Sequence, residues 1–97
     1  MVAFVRTVEA MPGKIRDVLV AGREIAAIHK RLFGTELFVG TAFGGKVSEV
    51  AFIGQYDSVQ KIADMLSQLN ADPAYQDALK PLAAAMIPGS GRDQIWQ

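Results

Sequence analysis

The 97 residues are 51% apolar and 21% charged, with ten basic residues balanced by ten acidic ones and no cysteine. That composition describes one globular domain over residues 1–97, small enough to bury only roughly 60–65% of its unfolded surface. It excludes a long-range field toward nucleic acid or anionic membranes, and it excludes disulfides and thiolate chemistry.

Residues 2–10 alternate Val2, Phe4 and Val8 with Ala3 and Val5, and carry Arg6, Thr7 and Glu9 toward the end, so they read as a strand. Met11, Pro12 and Gly13 close it with a turn. From 14 to 33 the positions Ile15, Val18, Leu19, Gly22, Ile25, Ile28 and Leu32 keep a period near 3.6, which predicts a helix with Gly34 as its stop and Lys30 and Arg31 in its last turn. Residues 36–43 are rich in strand formers, and Gly44-Gly45 suits the tight turn of a hairpin into a second strand over 46–56. That strand carries Val47, Ala51 and Ile53 on one side and Val50, Phe52 and Tyr56 on the other, as a strand buried on both faces requires.

Asp57 with Gln60 three residues on has capping-box spacing, and Val59, Ile62, Leu66 and Leu69 follow at helical intervals, predicting a helix over 58–70. Asp72-Pro73 restarts a short helix with Tyr75, Leu79 and Leu82 on its apolar side. Pro88 to Gly91 breaks the chain before a last short strand that holds Trp96. The sum is a ferredoxin-like β-α-β-β-α-β α+β sandwich, with an antiparallel sheet in the order 4-1-3-2 and two principal helices on one face. Two helices leave the other face bare and apolar over several hundred Å², so a homodimer formed sheet against sheet is expected.

No apolar run approaches the ~20 residues of a membrane span. The start MVAFVRTVEA lacks the basic region and apolar stretch of a signal peptide, so the expected location is the cytoplasm. The stretch GTAFGGK has the glycines of a phosphate loop, but Lys46 leads into a strand where that loop needs a helix. Pro12-Gly13-Lys14 lacks the arginine cradle and asparagine of acylphosphatase-like chemistry.

Four segments carry a resemblance: VEAMPGK at 8–14, QYDS at 55–58, LNADPAYQDAL at 69–79 and PGSGRDQIW at 88–96. With them the chain resembles the dimeric α/β barrel superfamily, in particular its NIPSNAP-like and antibiotic-biosynthesis-monooxygenase-like domains. The resemblance implies a homodimer whose two sheets form a barrel-like core, with a cavity between sheet and helices in each subunit. Some relatives use that cavity for cofactor-independent oxygenation or haem breakdown. Haem-degrading relatives place an asparagine on the first strand and a histidine on the second long helix. This chain has its asparagine at Asn70 and its histidine at His29 on the first helix, so those roles do not transfer.

His29 is the catalytic candidate. It stands four residues after Ile25 and three before Leu32, beside the apolar stripe, where it serves either as a base facing the cavity or as a boundary histidine packed at the helix end. Arg6 and Glu49 are expected on neighbouring strands, as a pair that orients a polar substrate group or as a rim ion pair. Tyr56 and Trp96 are aromatics with a polar tip that line a pocket or seal a core. Met11, Met65 and Met86 are gap-fillers that separate nothing. One histidine without cysteine or clustered carboxylates leaves too few ligands for a metal, and no cofactor is expected. The two functional readings are a non-catalytic domain that dimerises and binds an apolar small molecule, and a cofactor-independent monooxygenase acting on an apolar aromatic substrate.

Overall fold

The computed structural model describes residues 1–41 and 46–97. Its elements are β1 (Val2–Glu9), α1 (Ile15–Phe33), β2 (Phe38–Thr41), β3 (Glu49–Tyr56), α2 (Val59–Ala71), α3 (Pro73–Ala85) and β4 (Arg92–Trp96). The strands form one antiparallel sheet in the order β2-β3-β1-β4, which is the expected 4-1-3-2 arrangement. The turn expected at Gly44-Gly45 lies outside the described residues; on either side of it Phe38 pairs with Ile53 and Thr41 with Val50.

Strand register decides which side chains meet. Val2 stands opposite Tyr56, Phe4 opposite Gly54, Arg6 opposite Phe52 and Val8 opposite Val50, and these even-numbered residues of β1 and β3 share the face under the helices. Val2, Phe4, Val8, Val50 and Phe52 are all buried there. The odd-numbered residues point the other way. Ala3, Val5, Ala51 and Ile53 lie on that outer face with Phe38 and Trp96, which stay 58% and 63% exposed.

The helix assignments need two corrections. Ser58, not Asp57, caps α2: its hydroxyl accepts from the Lys61 N–H, and Gln60 donates to Asp64 instead of reaching back. The restart at Asp72-Pro73 gives a helix of 13 residues, as long as α2, so three helices and not two cover the inner face. Asp72 caps α3 by accepting from the Tyr75 N–H and also takes both oxygens to Arg31 of α1. The α1 helix opens at Lys14 without a side-chain cap. Its stop is as expected: Gly34 adopts φ 73° and donates its N–H to the Lys30 carbonyl.

The β3 strand also begins later than the pattern suggests. Val47 is 91% exposed in the turn before it, because the ladder with β1 ends at Glu9 opposite Glu49 and the chain then bends, with Ala10 N–H donating to the Ser48 carbonyl. An apolar residue just past the end of a ladder has no face to bury against.

One glycine inside α1 tests the packing. Helix propensity alone makes Gly22→Ala stabilising by about 1 kcal/mol. A Cβ at Gly22 would stand 2.9 Å from Val39 Cγ1 and 3.1 Å from Phe52 Cε1, both stiffly held between helix and sheet. Overpacking of this kind costs about 1–3 kcal/mol. The expected result in denaturant titration is therefore a net loss of stability for Gly22→Ala, and a gain would show that α1 lifts off the sheet easily.

Candidate functional site

The buried residues of α1 are Val18, Ala21, Gly22, Ile25, Ile28 and His29, so His29 belongs to the stripe itself and not to its margin. It is only 1% exposed, and its ring meets Phe33 edge-on at 4.9 Å between centroids. A buried imidazole needs partners for both nitrogens. Nδ1 is 3.1 Å from the Thr35 carbonyl, just beyond the helix stop, and Nε2 is 2.7 Å from the Tyr56 hydroxyl at the end of β3.

These partners fix the protons. A carbonyl only accepts, so Nδ1–H donates to Thr35, and in the neutral ring the Nε2 lone pair accepts the Tyr56 O–H. Burial pushes the imidazole below its ordinary value, opposed by the bond to Thr35, and burial raises the Tyr56 phenol to about 12. Both groups are therefore neutral at pH 7. They form a donor–acceptor pair in which a proton arriving at the phenol oxygen can be passed on to Nε2.

The hydroxyl reaches His29 because β3 carries glycine two residues earlier on the same face. A Cβ at Gly54 would stand 2.6 Å from the Tyr56 hydroxyl and 2.9 Å from its ring, so the ring lies across the space a side chain would fill.

Beside the pair is a partly open cavity of about 60 Å³ between the sheet and the helices. Phe4, Ile25, Phe52, Met65, Leu69 and Leu82 supply apolar walls, and His29, Tyr56, Tyr75 and Arg6 supply polar ones. Arg6 donates through Nε and Nη2 to the two oxygens of Asp93 at 2.7 and 2.9 Å, and its guanidinium lies 5.5 Å from the Phe4 ring centroid. Hydrogen bonding to Asp93 holds Arg6 charged and Asp93 ionised, each beyond its ordinary range.

The structure thus brings together three of the residues singled out from sequence, His29, Tyr56 and Arg6, and separates two. The Arg6–Glu49 pairing is corrected: Glu49 stands opposite Glu9 on the outer face, whereas Arg6 faces inward and pairs with Asp93 of β4. Trp96 pairs in register with Ala3 and so also lies on the outer face. Thr35, Gly54, Tyr75 and Asp93 were not among the candidates. Counting alternate residues along β1 and β4 would have found Asp93; nothing in the sequence marks the Thr35 carbonyl. Among the described residues no group of three or more His, Asp or Glu side chains is placed to hold a metal ion.

No protein-family model matches the sequence, and no curated protein does. Solved structures do. A NIPSNAP family protein from Agrobacterium tumefaciens superposes with a TM-score of 0.83 at 22% identity, over 99% of this chain and 90% of that one. The chain shares the fold of NIPSNAP proteins. An uncharacterized NIPSNAP domain protein from Burkholderia xenovorans gives the same TM-score of 0.83 at 21% identity, over 100% and 93% of the two chains. More distant is SnoaB, a cofactor-independent oxygenase from Streptomyces nogalater, at 0.71 and 14% identity, over 99% and 90%. The NIPSNAP and monooxygenase-like resemblance read from the residues is thus matched by the structural neighbours, with the NIPSNAP proteins the more similar. No helix among the described residues is long and apolar enough to cross a membrane.

Proposed function

We propose that this NIPSNAP-like chain is a homodimeric, cytoplasmic small-molecule-binding protein, and that each protomer takes a mostly apolar ligand with a hydrogen-bonding group into the cavity beside His29. The observation that carries this reading is the neutral His29–Tyr56 pair in the wall of a mostly apolar cavity whose other polar groups are Arg6 and Tyr75. A core that existed only for stability would gain nothing from two buried polar groups and an unfilled space. The dimer is supported by the outer face. Four strands of up to eight residues span at most about 19 by 26 Å, roughly 500 Å² in projection, and this face, with Val5, Ala51, Ile53 and Phe38 on it, supplies a large part of the ~800 Å² that each partner gives to a standard interface.

The second reading, cofactor-independent oxygenation of an apolar aromatic, rests on the same pair. Here the acidic proton of the substrate passes to the Tyr56 oxygen while the phenol proton passes to His29 Nε2. The similarity to SnoaB supports it less strongly than the NIPSNAP likeness supports binding.

The chain holds one histidine, so the ring-nitrogen resonances of His29 report on the cavity without assignment. Titration with quinones, anthrones, phenols and haem is expected to move these resonances for at least one class and leave Trp96 unaffected. The same ligand should bind at least tenfold more weakly to His29→Gln. Oxygen uptake with an anthrone that disappears in His29→Gln would favour the oxygenase. Sedimentation at micromolar concentration is expected to give twice the protomer mass; a monomer would remove the dimer from the proposal.

A further inference from the structure

The interior cavity is smaller than the ligands its walls suit. Its volume of about 60 Å³ accommodates a few waters or a short alkyl group, whereas an apolar cavity that holds benzene measures about 150 Å³. Just outside, between the end of β3 and the first turns of α2, is a surface cleft of about 360 Å³. Tyr56 and Met65 line both spaces, so these two side chains are the partition between them. The Tyr56 ring is held by its hydroxyl on His29 and by the open floor at Gly54. Met65 is held only by packing.

The cleft differs in character from the interior. Asp57, Lys61 and Asp64 contribute carboxylate and ammonium groups to it, while the cavity beyond the partition is walled mostly by Phe4, Phe52 and leucines, with Arg6 and Tyr75 on its polar side. Lys61 forms no ion pair among the described residues and stands with two carboxylates, so the cleft offers donors and acceptors together.

We infer that the cavity and the cleft are two halves of one site for an elongated amphiphile, whose apolar tail passes Tyr56 and Met65 into the interior while an uncharged head that both donates and accepts hydrogen bonds, a hydroxyl or primary amide, stays in the cleft. The inference rests on the small-molecule reading and adds to it the shape of the ligand and its way in. Release of the Tyr56 hydroxyl from His29 is the opening step. The mixed charge of the cleft disfavours a carboxylate head beside Asp57 and Asp64, and leaves an ammonium head facing Lys61.

The test uses 1-alkanols from ethanol to octanol, with octanoate and octylammonium, followed at the His29 ring resonances. Affinity should rise about fourfold per methylene until the tail fills the interior, and octanol should bind more tightly than either charged analogue. Tyr56→Phe keeps the ring and removes the latch, so octanol should associate about two- to tenfold faster, read from line shapes. Met65→Ala should also speed association, which guards against an effect peculiar to the phenol. Equal association rates in all three proteins would overturn the partition and leave small-molecule binding standing. Binding of xenon or ethanol without binding of octanol would show a closed cavity and also sink the two-part site. If neither xenon nor any alkanol perturbs His29, both the inference and the reading beneath it fall.

Discussion

His29→Ala is expected to lower stability by about 3 kcal/mol, which for a domain of this size moves the melting temperature down by roughly 12–24 °C. Two effects add. The substitution removes a ring that is 1% exposed and packed against Phe33, leaving a void, and it leaves the Thr35 carbonyl and the Tyr56 hydroxyl without their partner. The same variant should change how stability depends on pH. Because burial lowers the imidazole below its unfolded value near 6.5, the folded protein holds fewer protons there than the unfolded chain. The stabilisation from a neutral His29 is therefore complete above about pH 6.5 and lost as the pH falls through the lowered folded value. Asp72 and Asp93, also lowered, act only further down, where carboxylates titrate. Denaturant midpoints between about pH 7 and 5 should fall in the wild type and stay nearly flat in His29→Ala. Parallel profiles would show that His29 does not change its affinity for protons on folding.

Gly54→Ala is the second large effect, and its sign is not the one the backbone suggests. Glycine inside a strand is unfavourable by about 0.5–1 kcal/mol relative to alanine, and Gly54 has no positive φ that would require it. The new methyl would stand 2.6 Å from the Tyr56 hydroxyl, so the ring must leave its place and the bond to His29 with it. A buried Nε2 without a donor costs about 1–3 kcal/mol, which outweighs the backbone gain. The expected variant is less stable by about 1–2 kcal/mol and has a shifted His29 resonance. Its cavity is permanently joined to the cleft. An unchanged imidazole signal would mean that the strand shifts to accommodate the methyl while Tyr56 stays.

The order of elements and the sheet order were legible because they rest on strong periodic signals: Ile15 through Leu32 for α1, the alternation through Val50 and Phe52 for β3, and Gly34 as a stop. Local hydrogen bonds were read less well. Asp57 and Ser58 are both good caps, and it is the Ser58 hydroxyl that accepts from the Lys61 N–H. The helix restarted at Asp72-Pro73 was read as short, yet it runs through Pro81 to Ala85. For the site, His29 and Tyr56 were legible as residue types but not as a pair, since their contact joins a helix end to a strand end. Arg6 and Glu49 were matched by strand adjacency alone. Register, which puts six and fifty-two opposite each other and nine opposite forty-nine, places the two on different faces.

The β1 strand has β3 on one side and β4 on the other, and the second pairing joins Arg6 to Asp93 across 87 positions of chain. During synthesis β1, α1 and the β2–β3 hairpin are complete long before β4 exists, so the nascent protein carries a sheet with an open edge and an arginine with no counter-ion facing its interior. The span in sequence is not the loop that has to close: Ala10 bridges Met86 and Ile87 donates its N–H to the Glu9 carbonyl, so with the core in place β4 reaches β1 through the short turn of residues 88–91. One pairing thus does two things at the cavity wall: β4 covers the free edge of β1 and brings Asp93 to Arg6.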